Sequence, residues 1–469
     1  VPICAESEAV GMVIIMKKSD SFRSFIKYAS LNVMGMIGLS CYILADTFFV
    51  SQGLGTNGLT ALNLAIPVYS FIHGSGLMIG MGGGTRYSIL KSCSDPVEAN
   101  RTFTEAVALA AVFAAFFLLI GIFCPGAIVS LLGADENIFV MSETYLRVIL
   151  LFAPAFLLNN VLLCFVRNDG APQRSMAAMI GGSLSNVALD WLFIFPLQMG
   201  IFGAAFATGL APLISMLILS PHFFRKRNGF RPVKCRLVGK RLAGILSRGV
   251  PSLVTEASSG IVMIVFNAII LKLEGNPGVA AYGVIANLSL VVIAVYTGIA
   301  QGIQPLISRD YGRKNNAGIR AVLRYAMIAM LVFSVLIYLG VFFGAPQIAG
   351  IFNREHDALL QGIAEEGLRL YFSACPFAGF NIVLSMYFTS SEHPRPAHLI
   401  SILRGFLVML PVFLLSRIWG IRGVWCAFPA AELIAAAAGI TLFIAMKKGH
   451  AAIGDSEQSS DISSSKKRL

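Results

Sequence analysis

Two acids in this sequence stand inside apolar runs: Asp46 in YILADTFFV (42–50) and Asp190 in SNVALDWLFIF (185–195). A carboxylate in such surroundings is costly, and residues of this kind mark ion or substrate pathways in membranes. Asn186 is four residues before Asp190, so the two share one face of a helix. Thr208 and Asn159 add neutral oxygens in neighbouring apolar runs. Two carboxylates with neutral oxygen ligands in low dielectric suit a coupling ion. Like charges held close are relieved by capturing a proton, and the same oxygens make a site for Na+. The plainer reading is that both acids cap or brace helices near the outer interface.

Other polar residues in apolar sequence carry weaker signals. Glu256, in PSLVTEASSGIV (251–262), is a second protonation site or a contact for a cationic substrate, unless it pairs with Arg248. Asn287, Gln301 and Gln304 are candidates to line a cavity. His73 reads as a hydrogen-bonded packing residue, and Arg404 as a side chain that snorkels to the membrane edge. Glu432 is a further buried-acid candidate. No GxxxxGK[ST], HExxH or GxSxG motif occurs, so neither a built-in ATPase nor a hydrolase is indicated. GMGGGTRYS (80–88) lacks the lysine of a phosphate loop and reads as close helix packing. The eight cysteines show no CxxC or Cys/His metal spacing and read as free thiols packed as small hydrophobes. The chain is therefore expected not to be an enzyme and to need no cofactor beyond a coupling ion, H+ or Na+.

The elements that position these residues are membrane spans. Hydrophobic residues make up 56% of the 469, charged residues only 13%, and the mean hydropathy is +0.76. A soluble domain carries about 25% charged residues. Twelve apolar runs are long enough to cross a bilayer. They fall at 25–50, 58–84, 103–126, 144–167, 174–196, 202–224, 243–272, 279–305, 324–345, 367–390, 397–416 and 422–446. Lys and Arg concentrate in alternate connections. They include Lys17, Lys18, Arg23 and Lys27 before span 1, Arg86, Lys91 and Arg101 after span 2, and Arg167 and Arg174 after span 4. After span 6 comes a strongly basic segment with no acid (Arg225, Lys226, Arg227, Arg231, Lys234, Arg236, Lys240 and Arg241), and after span 8 come Arg309, Arg313, Lys314 and Arg320. The other connections are nearly free of them, with Arg354, Arg417 and Arg422 as exceptions. This alternation predicts a cell-membrane protein with both termini cytoplasmic. The net charge of +12 is thus spent on topology and anionic lipid headgroups rather than on nucleic acid. Asp46 lies 19 residues past Lys27 and Asp190 16 past Arg174, about 28 and 24 Å along their helices, so they share a depth in the outer half.

The two halves of the chain repeat each other at a shift of 220–222. MGIFGAAFA (199–207) aligns with WGIRGVWCA (419–427), YLRVILLFAPAFLLN (145–159) with GLRLYFSACPFAGFN (367–381), and GTNGLTALNLAI (55–66) with GNPGVAAYGVIA (275–286). A duplicated unit of six spans begins both copies on the same side of the membrane, which gives parallel repeats with a substrate site between lobes that rock. The expected organisation is an N-terminal cytoplasmic segment (1–24), a first lobe (25–224), a basic linker (225–242), a second lobe (243–446) and a polar, disordered tail (447–469). Met16 reads as a natural start, with residues 1–15 as an extension.

YILADTFFVSQGLGTNGLTALNLAIPV, the RNDGAPQRSM connection before NVALDWLFIFPLQMGIFGAAFAT, and GIAQGIQPLISRDYG together resemble the multidrug and toxic compound extrusion (MATE) family in its MepA-type bacterial branch. The resemblance runs from about residue 20 to 446. It implies an all-α, twelve-span fold in two six-helix lobes. It also implies secondary-active export of organic, often cationic, compounds in exchange for H+ or Na+, with no obligate protein partner. Carried over residue by residue, the coupling-ion cluster is Asp46, Asn186, Asp190 and Thr208, with Asn159 or Asn160 from span 4. Some relatives pair the span-7 acid with a carboxylate in span 10. The nearest place here is Asn381, so a second-lobe cation site would consist of Glu256 and Asn381 alone. A lipid-linked oligosaccharide flippase of the same superfamily is the rival transport reading, and a membrane receptor or enzyme the rival outside transport. The flippase would need a cationic cavity for pyrophosphate, whereas the basic residues here sit mostly in connections.

Overall fold

The computed structural model describes the backbone over residues 3–224, 228–353 and 357–466, and side chains over 20–224, 228–351, 353 and 357–446. Arg225, Lys226 and Arg227 of the basic linker, Arg354, and the ends 1–2 and 467–469 lie outside the described residues. The described chain folds into fifteen α-helices. The first lobe holds α1 (Ile3–Ser92), α2 (Pro96–Phe123), α3 (Pro125–Leu131), α4 (Glu136–Leu151), α5 (Ala153–Asn168), α6 (Pro172–Ile194), α7 (Gly200–Leu219) and the short α8 (Pro221–Phe224). The second holds α9 (Gly239–Gly312), α10 (Asn316–Phe352), α11 (Ala358–Tyr371), α12 (Cys375–Ser390), α13 (Pro394–Ile402), α14 (Met409–Trp419) and α15 (Ile421–Lys466). A 3-10 turn joins α11 to α12, and a π-helical turn, Leu403–Leu407, joins α13 to α14.

Nine of these helical stretches are apolar and long enough to cross a membrane. Two, Asp20–Ser92 and Gly239–Gly312, are long enough to cross twice, and α4 with α5 forms a further crossing bent by 46°. Twelve crossings result, as the hydropathy pattern predicts. The long helices turn at Gly55 (φ 66°, ψ −158°) and Gly275 (φ 65°, ψ −153°), conformations open only to glycine. These glycines are 220 residues apart, as are the positive-φ pairs Gly200/Gly420 and Ser94/Lys314. Helix caps repeat as well. Asp95 and Asn315 accept from the backbone N–H three residues on, and Asp135 and Asp357 cap α4 and α11. The parallel duplication read from sequence is thus written into the backbone.

Each half has its own apolar core. One is built from residues between Val50 and Leu219 with Phe230 and Ile245, the other from Phe266 to Ala431. Phe25 and Ala29, at the start of span 1, pack into the second core, so α1 belongs to both lobes at that end. There the helices touch backbone to backbone. A Cβ added to Gly249 would lie 1.8 Å from the Met78 carbonyl oxygen, and one on Gly302 2.7 Å from Ala29 Cα. Small residues permit this approach in membranes.

The backbone of helix α15 runs on to Lys466. One expectation changes. Arg167, read as a loop cation, is 2% exposed at the end of α5. It donates to Asn32 Oδ1 (2.9 Å) and Gln301 Oε1 (2.6 Å). Beside it Asn168 and Gln304 exchange two hydrogen bonds (2.9 and 3.1 Å), and Gln304 also donates to Thr85 (3.0 Å). This polar seam and the glycine contacts close the two lobes against each other at the end that carries the basic connections. Beneath the first lobe, Asp169 receives hydrogen bonds from Tyr87, Lys91, His222 and the backbone of Gly229, which anchors the linker. Burial alone would push this carboxyl up, but its donors outweigh burial and hold it below the usual carboxylate range.

Candidate functional site

Asp46 and Asp190 come together from α1 and α6, near enough for the charge of one to act on the other. Asp46 is 7% exposed and Asp190 fully buried. Asn186, one turn before Asp190, links the carboxylate to the next helix. With its amide nitrogen toward the acid it donates to Asp190 Oδ2 at 3.0 Å and accepts from the Thr208 backbone N–H at 3.2 Å. Tyr145 of α4 lies within electrostatic range of both carboxylates. Among the described residues neither acid has a Lys, Arg or His partner, and Oδ1 of each is buried without a hydrogen bond. Unpaired buried carboxylate oxygens are expensive. A proton or a small cation is what would satisfy them.

Asp46 lines a cavity of about 260 Å3 between the lobes, and Asp190 is not among its described lining residues. Tyr42, Tyr69, His73 and Thr208 supply the first-lobe wall, and Glu256 and Met263 are on the other side. No lysine or arginine is among its described lining residues. A smaller cavity of about 80 Å3 continues into the first lobe toward Arg167. Asn159 and Asn160 line it, with Asn159 Oδ1 buried and unbonded. Asn160 donates to the His73 carbonyl at 3.4 Å. Both asparagines thus face this extension.

The structure places the remaining candidates differently from one another. Glu256 faces the inter-lobe cavity and does not pair with Arg248, which binds Glu392 at 2.6 Å. Its partner is His73 across the lobe gap, Nδ1 to Oε2 3.6 Å. His73 thus has a polar neighbour from the second lobe. Asn381 is not beside Glu256. It is fully buried in the second lobe and donates to Glu432 Oε2 (2.7 Å) and to the Glu432 carbonyl (2.8 Å). Arg404 does not snorkel, because its Nε reaches both oxygens of Glu432 at 3.0 Å. The π-helical turn that carries Arg404 forms part of the wall of a second-lobe cavity of about 200 Å3, lined also by Tyr371 and Phe428. Gln304 is fully buried in the inter-lobe seam, and Gln301 joins the seam at the floor of the small cavity. Asn287 is half-buried and lines none of the cavities described here.

Sequence reasoning missed Arg167 and the His73–Glu256 pair. A basic residue at a span end reads as topology, and nothing local says that an acid from the other lobe meets a histidine.

A family model for MatE matches residues 33–192 and 251–415. Multidrug export protein MepA of Staphylococcus saprophyticus is 24% identical over 433 residues, covering 91% of this chain and 94% of that protein. The fold is similar to that of a MOP superfamily transporter from Pyrococcus furiosus, described as having a binding pocket of reverse polarity that suggests a different function. The TM-score is 0.83 at 24% identity, covering 91% of this chain and 96% of that one. It is equally similar to a multidrug resistance MATE family transporter in an outward-facing conformation. Here the TM-score is 0.83 at 25% identity, with the same coverage of both chains.

Proposed function

Because the chain belongs to the MatE family of multi-pass membrane transporters, we propose that it is a secondary-active efflux antiporter that exchanges H+ or Na+ for small organic cations. The observation that carries this reading is the buried Asp46–Asp190 pair. It lies beside an inter-lobe cavity, has unsatisfied carboxylate oxygens, and has no cationic partner among the described residues. Residues 25–224 and 243–446 are the two lobes that rock, joined by 225–242, with both termini cytoplasmic. The seam at the basic end then closes the cytoplasmic side, and the cavity belongs to the outward-facing state. Ion binding at Asp46, Asp190, Asn186 and Thr208, with Asn159 or Asn160 beneath them, neutralises the pair. It thereby alters the packing of α1 against α6 and α7, and the altered wall releases the organic cation outward. The cavity's acids, Asp46 and Glu256, give it the sign that attracts cations. A pyrophosphate-linked lipid would need the opposite sign.

The test is efflux of a fluorescent cation from proteoliposomes under an imposed pH gradient, then under an imposed Na+ gradient. One of the two gradients should drive wild-type export, and Asp46→Asn and Asp190→Asn should each reduce it to the leak rate. Full gradient-driven export by Asp46→Asn would sink the mechanism.

A further inference from the structure

The contact between His73 and Glu256 crosses the gap between lobes and faces the cavity. The side chains are 15% and 33% exposed, and the nitrogen–oxygen distance is 3.6 Å. His73 lies flat against Tyr69, with ring centroids 5.9 Å apart and planes 13° from parallel. The Tyr69 hydroxyl meets the Tyr42 hydroxyl at 2.9 Å. Tyr42 is one turn from Asp46 on the same helix. The groups that face His73 are Tyr69 on its own helical arm, Tyr42 and Asp46 from span 1, and Asn160 and Arg167 from α5. Tyr145 from α4, Asn159 and Cys164 from α5, Thr208 from α7, and Glu256 and Gln301 from α9 line the same two cavities.

Glu256 is the second lobe's only acid among the described residues that line this cavity. An organic cation that takes Glu256 Oε2 competes with His73 for that oxygen. A purely structural ion pair gains from being shielded, whereas this one is partly open to the space where substrate would sit, where pairs contribute little to stability. The imidazole already shows what fits: a flat ring parallel to Tyr69 with a ring nitrogen toward the carboxylate.

We propose that His73 is a specificity-determining residue that acts as a built-in competitor: its imidazolium occupies Glu256, and a planar aromatic monocation displaces it between Tyr69 and Glu256. The competing charge exists only while the imidazole is protonated, so competition grows as the pH is lowered. This inference rests on the efflux reading, and the experiment separates the two.

The test measures binding of ethidium, a planar monocation, to the full-length protein in nanodiscs by fluorescence, at about pH 5.5 and about pH 8. His73→Gln is expected to tighten binding about threefold at the lower pH, as removal of a competing charge at a partly exposed pair would, and to leave the higher pH unchanged. His73→Lys, which keeps a cation at both pH values, is expected to bind weakly at both. Glu256→Gln should weaken wild-type binding at the higher pH and make His73→Gln silent. The inference is overturned if His73→Gln leaves the affinity ratio between the two pH values as in wild type. It is overturned equally if His73→Lys binds as wild type at the higher pH, or if the effect of His73→Gln persists on Glu256→Gln. Wild-type protein that neither binds ethidium nor moves it under any gradient would remove the efflux reading itself. Binding with an unchanged response in the His73 variants would remove this inference alone.

Discussion

Replacing Gln304 by methionine tests whether the polar seam is what holds the lobes together at the basic end. The swap keeps the length of the side chain and removes its donor and acceptor. Gln304 makes three hydrogen bonds to the other lobe: two with Asn168, at 2.9 and 3.1 Å, and one to Thr85 at 3.0 Å. A hydrogen bond inside a membrane protein contributes about 0.6 kcal/mol on average, and a typical intramolecular bond up to about 1.5 kcal/mol. Three of them favour the closed arrangement by roughly 2 to 4 kcal/mol, because in the open arrangement these groups face water and lose nothing. The open fraction should therefore rise roughly 30- to 900-fold in Gln304→Met. Ser88 provides the probe, since it is 5% exposed and its hydroxyl meets the Pro305 carbonyl across the same seam. With the native cysteines replaced, Ser88→Cys reacts with a membrane-impermeant thiol reagent only when the seam opens, and its rate tracks the open population. Adding Gln304→Met should accelerate that rate by the same factor and leave an exposed control, Val97→Cys, unchanged. A change of less than about threefold would show that the bonds are remade or irrelevant in the open state, and the lobe-closing role of the seam would fall.

Two further substitutions probe the buried charges on either side of the seam. Arg404→Met leaves Glu432, whose side chain is 2% exposed, without its cation and should cost about 3–5 kcal/mol of stability. Adding Glu432→Gln, which still accepts from Asn381, should recover most of the loss in thermal unfolding. Asp169→Asn should cost about 2–4 kcal/mol at neutral pH by removing the charge shared by His222, Lys91 and Tyr87. The Asp169 carboxyl is held below its ordinary range, so its contribution is present above the unfolded-state value and is lost as pH falls through the lower folded-state value. The variant should flatten the acid limb of the unfolding profile relative to wild type.

The span count, the duplication and the first-lobe acid cluster were legible because each has a local signal. Apolar length marks a crossing, and a constant offset marks a repeat. A helix places Asn186 and Asp190 on one face whatever surrounds it. The glycines that turn the long helices were visible only as members of the repeat. Their need for positive φ at Gly55 and Gly275 emerged from the backbone. What could not be read are the pairings between lobes. Arg167 sits at a span end, where a basic residue ordinarily reports topology, yet the Asn32 and Gln301 carbonyls draw it inward. Gln301 and Gln304 are one turn apart and polar in an apolar run, the pattern of a cavity wall. A seam between two packed helices has the same pattern, and only the partner helix decides which it is. His73 is the sharpest case. Its sequence surroundings are apolar, so its own helix supplies no charge to meet it; the carboxylate that faces it arrives from the duplicated half. In a protein built from two copies of one unit, residues that act on the relation between the copies have partners in the other copy. A reading that proceeds one helix at a time finds the acids that cluster within a lobe and passes over the groups that meet across the gap between lobes.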